Sequence, residues 1–137
     1  MTQNEVKHQL FAAMRAYSKY RTARDRADAY REQLTGKAER YEQGGGNSSK
    51  VNATEESLQR LLAYDEDTAQ LERAWNEARE YVAAIISQCP IDGGATVLEY
   101  RYLNNYRYEE IAEVMGYSTR NIFKMHKKAI QYLSNIL

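Results

Sequence analysis

The chain has 137 residues, with 19 Lys or Arg against 19 Asp or Glu, so its formal net charge is zero. This length allows one domain, or one small domain with an appendage. No apolar run reaches the roughly 18 residues of a membrane span, and the first residues lack the order of a signal peptide, so we expect a cytoplasmic protein with no membrane partner. One cysteine, Cys89, excludes an internal disulfide, and two distant histidines argue against a structural zinc site.

Charge is unevenly distributed along the chain, and the zero is a cancellation. Residues 1–43 carry nine basic and six acidic side chains, residues 44–90 carry four and eight, and residues 91–137 carry six and five. The stretch from Val114 onward holds no acid and four cations: Arg120, Lys124, Lys127 and Lys128. Neutrality therefore does not exclude a nucleic-acid partner, because a local basic surface remains.

The first predicted element is a long helix. Apolar residues, mostly Ala and Tyr, recur every three or four positions from Val6 to Tyr41, which is the period of one helix face. Residues 43–53 are rich in Gly, Ser and Asn and predict a flexible polar loop. Thr54, followed by two glutamates, is typical of the N-cap of a second helix.

The second predicted helix has one continuous apolar seam. From Leu61 to Cys89 the seam positions alternate in steps of three and four over four heptads, which excludes a strand. Helix one is basic and helix two is acidic, so we expect a coiled-coil-like antiparallel hairpin over residues 1–90. Pairing of the seam with a second copy is equally compatible with the pattern, because so narrow a seam buries little surface by itself. We therefore expect a homo-oligomer, with a dimer as its simplest form.

The sequence pattern changes after Pro90, which ends helix two, and the helices predicted beyond it are shorter. The elements predicted there are a short helix over residues 95–103, a turn at Asn104 and Asn105, a helix over residues 108–115, and a last helix from Thr119 to Leu137 capped by Ser118. The predicted fold class is therefore all-α: a long antiparallel helical hairpin followed by a small helix-turn-helix domain over residues 91–137.

Two helices joined by a short turn that contains glycine are the layout of a helix-turn-helix, whose second helix enters the DNA major groove. Ala112 is small where the two helices would cross, and Gly116 falls where the turn requires a positive φ. The core positions of such a unit fall on Ile111, Met115, Tyr117, Ile122 and Met125.

These residues carry a resemblance to a known family. The stretch VLEYRYLNNYRYEEIAEVMGYSTRNIFKMHKKAIQYL resembles region 4 of the sigma-70 family of bacterial sigma factors, above all in EEIAEVMGYS and KKAIQYL. It covers roughly the last 45 residues. With its long helical first part, the whole chain resembles the small sigma-factor-like regulators of phages and mobile elements. The resemblance implies a transcription regulator that binds promoter DNA and recruits RNA polymerase.

The resemblance places the DNA-reading surface at the start of the last helix, and helix geometry points to the same positions. Ile122, Met125 and Ala129 are expected to face the core, which turns the residues between them outward. An exposed aromatic at Phe123, among cations, has no packing reason unless it meets another chain. The predicted contacts are Arg120 and Lys124 with guanine edges, Thr119 and Phe123 with a thymine methyl, Asn121 with a phosphate or a base, and Arg107, Ser118, Lys127 and Lys128 with phosphates.

The chain also departs from the family pattern. A sigma factor needs a second DNA-binding region, and residues 1–90 contain nothing like it, so the chain is not expected to act as a complete sigma factor. Arg107 stands where a capping Ser or Thr is usual, which predicts a weaker cap on the helix before the turn.

Other readings of the pattern remain open. A phage packaging component such as a small terminase subunit also combines a helix-turn-helix with an oligomerising helical region, and it assembles into a ring of many copies. A purely structural or adaptor coiled coil binds protein only. Lys127 and Lys128 also fit an ordinary solvated helix face, and the tyrosines of residues 100–108 fit a small core better than a base-stacking platform. No catalytic, metal or cofactor site is predicted, so the chain is not expected to be an enzyme.

Overall fold

The computed structural model describes the backbone of residues 1–44 and 48–137, and the side chains of residues 1–36 and 54–137. Helix is the only regular structure in these ranges, which confirms the predicted all-α class for them. No helix there is both long and apolar enough to span a membrane. The elements are α1 (Gln3–Leu10), α2 (Ala12–Gly44), α3 (Ser48–Ile86), α4 (Gly94–Leu98), a π-helical segment (Glu99–Leu103), α5 (Tyr108–Met115) and α6 (Thr119–Ile136).

The first predicted helix is interrupted near its start. α1 and α2 are separated by one residue, Phe11. The N–H of Phe11 donates to the carbonyl of Lys7 (2.9 Å), and the carbonyl of Phe11 accepts from the N–H of Arg15 (2.9 Å), so helical hydrogen bonding continues through the irregularity. The ring of Phe11 packs edge-on against Tyr102, with 5.2 Å between centroids. This contact could not be predicted from periodicity, because Tyr102 lies far away in sequence.

The second predicted helix begins earlier than expected. α3 starts at Ser48, so Thr54 lies inside the helix, and the prediction that Thr54 is its N-cap is wrong. Within the predicted loop over 43–53, residues 45–47 lie outside the described residues, and the remainder belongs to α2 and α3.

The end of α3 also differs from the prediction. The helix stops at Ile86 and not at Pro90, because a proline disfavours the helical conformation of the residue before it and cannot donate a backbone hydrogen bond. The N–H of Cys89 donates to the carbonyl of Ile86 (3.0 Å) in the turn that follows. Cys89 is 7% exposed and lies in the core, as expected of a small buried hydrophobe.

Contacts divide the chain into two compact units. We call Met1–Ala16 together with Trp75–Leu137 the terminal unit, and Tyr17–Ala74 the middle unit. The boundary predicted after residue 90 was based on Pro90 and on the change in sequence pattern that follows it. The contact-based division falls elsewhere, because α1 and the end of α3 pack with the last helices.

The core of the terminal unit lies along α6. One cluster joins α1, the start of α2, the end of α3, α4, the π-helical segment and the C-terminal half of α6: Val6, Leu10, Ala13, Val82, Ile85, Ile86, Cys89, Leu98, Tyr102, Ala129, Ile130 and Leu133. A second, smaller cluster joins α4, α5 and the start of α6: Val97, Ile111, Ala112 and Ile122. α6 is therefore anchored along its length by one apolar face, and its opposite face is left to solvent.

The middle unit has a narrower core. Its buried apolar side chains among the described residues are two alanines of α2, Ala23 and Ala27. Tyr30 and Tyr64 pack edge-on, with 5.4 Å between centroids. Arg31 donates two hydrogen bonds to the carboxylate of Asp65, at 2.9 and 3.0 Å. This ion pair joins basic α2 to acidic α3, but both side chains are partly exposed, so its contribution to stability is small.

Candidate nucleic-acid interface

A three-residue turn joins α5 to α6. α5 ends on Gly116, which has φ +74°, and the N–H groups of Gly116 and Tyr117 both donate to the carbonyl of Ala112. A Cβ at Gly116 would have no heavy atom within 4 Å, so glycine is required here by the backbone conformation and not by crowding. The positive φ predicted at this position is confirmed.

The start of α6 is capped as predicted. Ser118 has an extended backbone (φ −72°, ψ 154°), and its Oγ accepts a hydrogen bond from the N–H of Asn121 at 3.2 Å. The cap satisfies one of the free N–H groups of the first turn. Helix geometry directs the remaining N–H groups of a first turn along the helix axis, where an anion would be stabilised.

The packing between α5 and α6 agrees with the predicted core in four of its five positions. Ile111 and Ile122 are fully buried, and Met115 and Met125 are half-buried against them. Tyr117 is 48% exposed, so the prediction that it belongs to the core is wrong. It stands in the turn between Gly116 and Ser118, where the chain has already left the face of α5 that packs.

The exposed face of α6 is basic. Arg120, Lys124 and Lys127 follow each other at spacings of four and three, and Lys128 borders them, so the four cations share one face of the helix. No carboxylate forms an ion pair with any of the four within the part of the chain that the structure describes. The predicted contact residues on this helix that are exposed are Arg120, Asn121, Phe123, Lys124, Lys127 and Lys128, whereas Thr119 is half-buried.

Phe123 has a packing partner in its own chain. Its ring lies 4.8 Å from the ring of Tyr108, centroid to centroid, and half of the side chain remains exposed. The expectation that Phe123 would have no packing partner in the chain is therefore wrong. Sequence reasoning missed the contact because Tyr108, the first residue of α5, is brought to α6 by the turn.

Arg107 is the N-cap residue of α5. Its backbone N–H and its Nε both donate to one carboxylate oxygen of Glu110, at 3.2 and 2.9 Å. These hydrogen bonds lower the pKa of Glu110 and raise that of Arg107. The helix thus gains a cap from Glu110 that Arg107 cannot supply itself. The guanidinium of Arg107 is exposed, and a phosphate would have to compete with Glu110 for it.

A buried polar cluster lies beneath the candidate interface. The hydroxyl of Tyr102 is 2.7 Å from Nε2 of His126, which sequence reasoning did not place in the core. Burial, followed by the positive charges of Lys7 and Arg101, lowers the pKa of His126 to about 4. Burial also raises the pKa of Tyr102 well above its ordinary value. Position 126 falls four residues after Ile122, so its place on the buried face was readable from the period.

The other tyrosines near this cluster are engaged within the chain. Tyr100 and Tyr106 stack with 5.2 Å between centroids and 15° between planes, and both are half-buried. This agrees with the core role expected for these tyrosines in preference to base stacking. Among the residues that the structure describes, no group of three His, Cys, Asp or Glu side chains is placed to hold a metal ion.

Comparison with known proteins gives no match: no family model fits the chain, and no curated protein or solved structure is found to be similar. An all-α fold does not by itself define a function, because helical architectures carry many unrelated activities.

Proposed function

We propose that this chain is a sequence-specific DNA-binding transcription regulator of the sigma-factor-like kind, derived from a phage or mobile element. It binds promoter DNA through a helix-turn-helix formed by α5 and α6 and recruits RNA polymerase. The proposal is carried by the exposed face of α6, directly after a capped helix start, where four cations have no carboxylate partner among the residues that the structure describes.

The mechanism is occupancy of a DNA site and involves no chemical step. α6 enters the major groove with its first turns against the bases, where Arg120 and Lys124 bond guanine edges and Asn121 bonds a base or a phosphate. Lys127 and Lys128 lie further along the helix and contact phosphates, as does the hydroxyl of Ser118. The turn at Gly116 fixes the angle at which α6 leaves α5, and so fixes the register of these contacts.

Useful affinity for DNA requires either a second copy of the chain or RNA polymerase as a partner. Four cations give a modest nonspecific attraction, so one copy binds DNA weakly and in a salt-sensitive way. In the proposal, α2 and α3 form an antiparallel hairpin that either pairs with a second copy or holds RNA polymerase, which raises the effective concentration of α6 at its site. The pairing of Tyr30 with Tyr64 and of Arg31 with Asp65 supports contact between these helices in the middle unit.

The test starts from a pool of random DNA duplexes, from which the full-length protein enriches its preferred sequence. The enriched duplex is then titrated by fluorescence anisotropy at several salt concentrations. We expect specific binding whose logarithmic affinity falls with the logarithm of salt at a slope of about −2, as the two phosphates neutralised by Lys127 and Lys128 require. Replacing Lys127 and Lys128 by Gln should flatten this slope.

A matched control removes the same charge elsewhere. Arg15 and Lys19 are exposed cations of α2, and their replacement by Gln should leave the slope unchanged. Failure of the wild-type protein to enrich any sequence, with no salt-sensitive affinity, would favour a protein-only adaptor and overturn the proposal. A ring of many copies, measured by light scattering, would favour a packaging subunit and overturn it equally.

A further inference from the structure

We propose that Phe123, held in position by Tyr108, reads the 5-methyl group of a pyrimidine in the major groove. The preferred DNA site then contains a thymine or a 5-methylcytosine at the position that Phe123 reaches. This inference rests on the proposed function, because it assigns a base preference to the same face of α6.

Phe123 is an apolar group in a charged surface. It lies three residues after Arg120, next to Lys124 and four residues before Lys127, and 50% of its side chain is exposed. The exposed half adds nothing to the core, because the buried face of α6 at this level is supplied by Ile122. Burying that half against a ligand would release the hydration of the ring, so the ligand must offer an apolar group at the same depth as the cations.

The ring of Tyr108 packs against the ring of Phe123. The two centroids are 4.8 Å apart. Tyr108 is in turn packed edge-on against His126 at 5.6 Å, and the guanidinium carbon of Arg101 lies 4.6 Å from the Tyr108 centroid. Contacts from the π-helical segment and from α6 thus converge on this one ring. Because Tyr108 restricts the ring of Phe123 before binding, Phe123 loses little conformational entropy when it meets DNA. Tyr108 therefore acts as a positioning residue.

Chemistry limits what Phe123 can recognise. Its ring has no hydrogen-bonding atom, and the 5-methyl group of thymine is the apolar group that an unmodified base pair presents in the major groove. A methylated cytosine presents the same group at the same ring position. Burial of one methyl group against the ring changes affinity by about three- to fivefold.

The experiment uses the duplex enriched by the wild-type protein. Each thymine is replaced in turn by uracil, which keeps every hydrogen bond and removes only the methyl group. In a second arm, each cytosine is replaced by 5-methylcytosine. If thymine is the source of the methyl group, one uracil substitution weakens binding about three- to fivefold; if methylcytosine is, one methylation strengthens binding by a similar factor. If no substitution in either arm changes the affinity, the inference is overturned.

Variants assign the effect to the two rings. The comparison uses the two duplexes that differ only in the methyl group to which the wild-type protein responds. Phe123→Ala should bind these two duplexes equally. Tyr108→Leu should reduce the ratio of the two affinities while circular dichroism and the thermal midpoint show a folded protein. If Tyr108→Leu does not fold, Tyr108→Phe, which keeps the ring, must retain the ratio. Lys128→Ala is the control, because it should weaken binding to both duplexes alike and leave the ratio intact.

Two failures are distinguishable in this design. If the wild-type protein binds no duplex specifically, the proposed function itself is wrong. If it binds specifically but Phe123→Ala keeps the full methyl preference, DNA binding stands and the role of Phe123 is overturned.

Discussion

The hydroxyl of Tyr102 and Nε2 of His126 meet at 2.7 Å inside the terminal unit and tie the π-helical segment to α6. Each of these side chains is less than a tenth exposed. An uncharged imidazole can accept the hydroxyl hydrogen at Nε2, so the contact satisfies two buried polar groups without a buried charge. The rotation of α6 that presents its cations to solvent is therefore fixed in part by this pair.

The same pair makes stability dependent on pH. The pKa of His126 falls from 6.5 to about 4 because the ring is buried and faces the positive charges of Lys7 and Arg101. The unfolded chain therefore binds a proton between pH 6.5 and 4 that the folded chain does not. The free energy of unfolding is therefore highest above pH 6.5, and His126 lowers it by about 3 kcal/mol as the pH falls to about 4.

His126→Gln provides the comparison, because glutamine can still hydrogen-bond to Tyr102 but does not titrate. Urea unfolding of both proteins at pH 7 and pH 4.5 should show a smaller loss of unfolding free energy for the variant. Carboxylate titration is common to both proteins and cancels in the difference. Equal losses in the two proteins would mean that His126 is not held neutral.

A pair of glycine substitutions should have opposite effects. Gly116→Ala places a Cβ at φ +74°, which costs about 1 kcal/mol by backbone strain alone. Gly36→Ala replaces a glycine inside α2 where no atom of the described residues lies within 4 Å of the added Cβ, and should stabilise by up to about 1 kcal/mol. Chemical denaturation of the two variants measures both signs, and destabilisation by Gly36→Ala would contradict the helical assignment there.

The sequence predicted the elements that have strong local signals at both ends. α5 covers residues 108–115 as expected, and α6 starts at Thr119 because Ser118 caps it and Gly116 stops the helix before it. The cationic face of α6 was predictable for the same reason, since helical period alone assigns its residues to the side opposite Ile122.

Elements that depend on distant contacts were not predictable. The π-helical segment follows α4 without a break, and its irregular hydrogen bonds include that from the N–H of Asn104 to the carbonyl of Glu99 (3.1 Å). It carries Tyr102 to a partner that lies 24 residues away along the chain. The contact between Phe123 and Tyr108 was missed for the same reason, because it exists only after α5 and α6 have packed.

Ser118 allows stability to be separated from DNA binding. Ser118→Ala removes the oxygen that accepts from Asn121 and should cost about 1 kcal/mol of unfolding free energy. Ser118→Asp keeps a capping oxygen and adds a negative charge at the positive end of α6, so the protein should be as stable as the wild type. If DNA lies against this end, Ser118→Asp should bind it more weakly than Ser118→Ala. Equal or tighter binding by the aspartate variant would place the phosphate elsewhere.

Substitution of Arg120 and substitution of Lys128 should change DNA binding in different ways if α6 contacts the bases with its first turns. Arg120 lies in the first turn, at base-edge depth, so Arg120→Ala should cost about 1–3 kcal/mol on the preferred duplex and relax the base preference at one position. Lys128 lies more than two turns along the helix, so Lys128→Ala should weaken all duplexes alike and make the salt slope shallower by about one unit. Titrations at fixed salt on the preferred duplex and on a scrambled one measure both effects. Intact specific binding by Arg120→Ala would show that another face of α6 meets the bases.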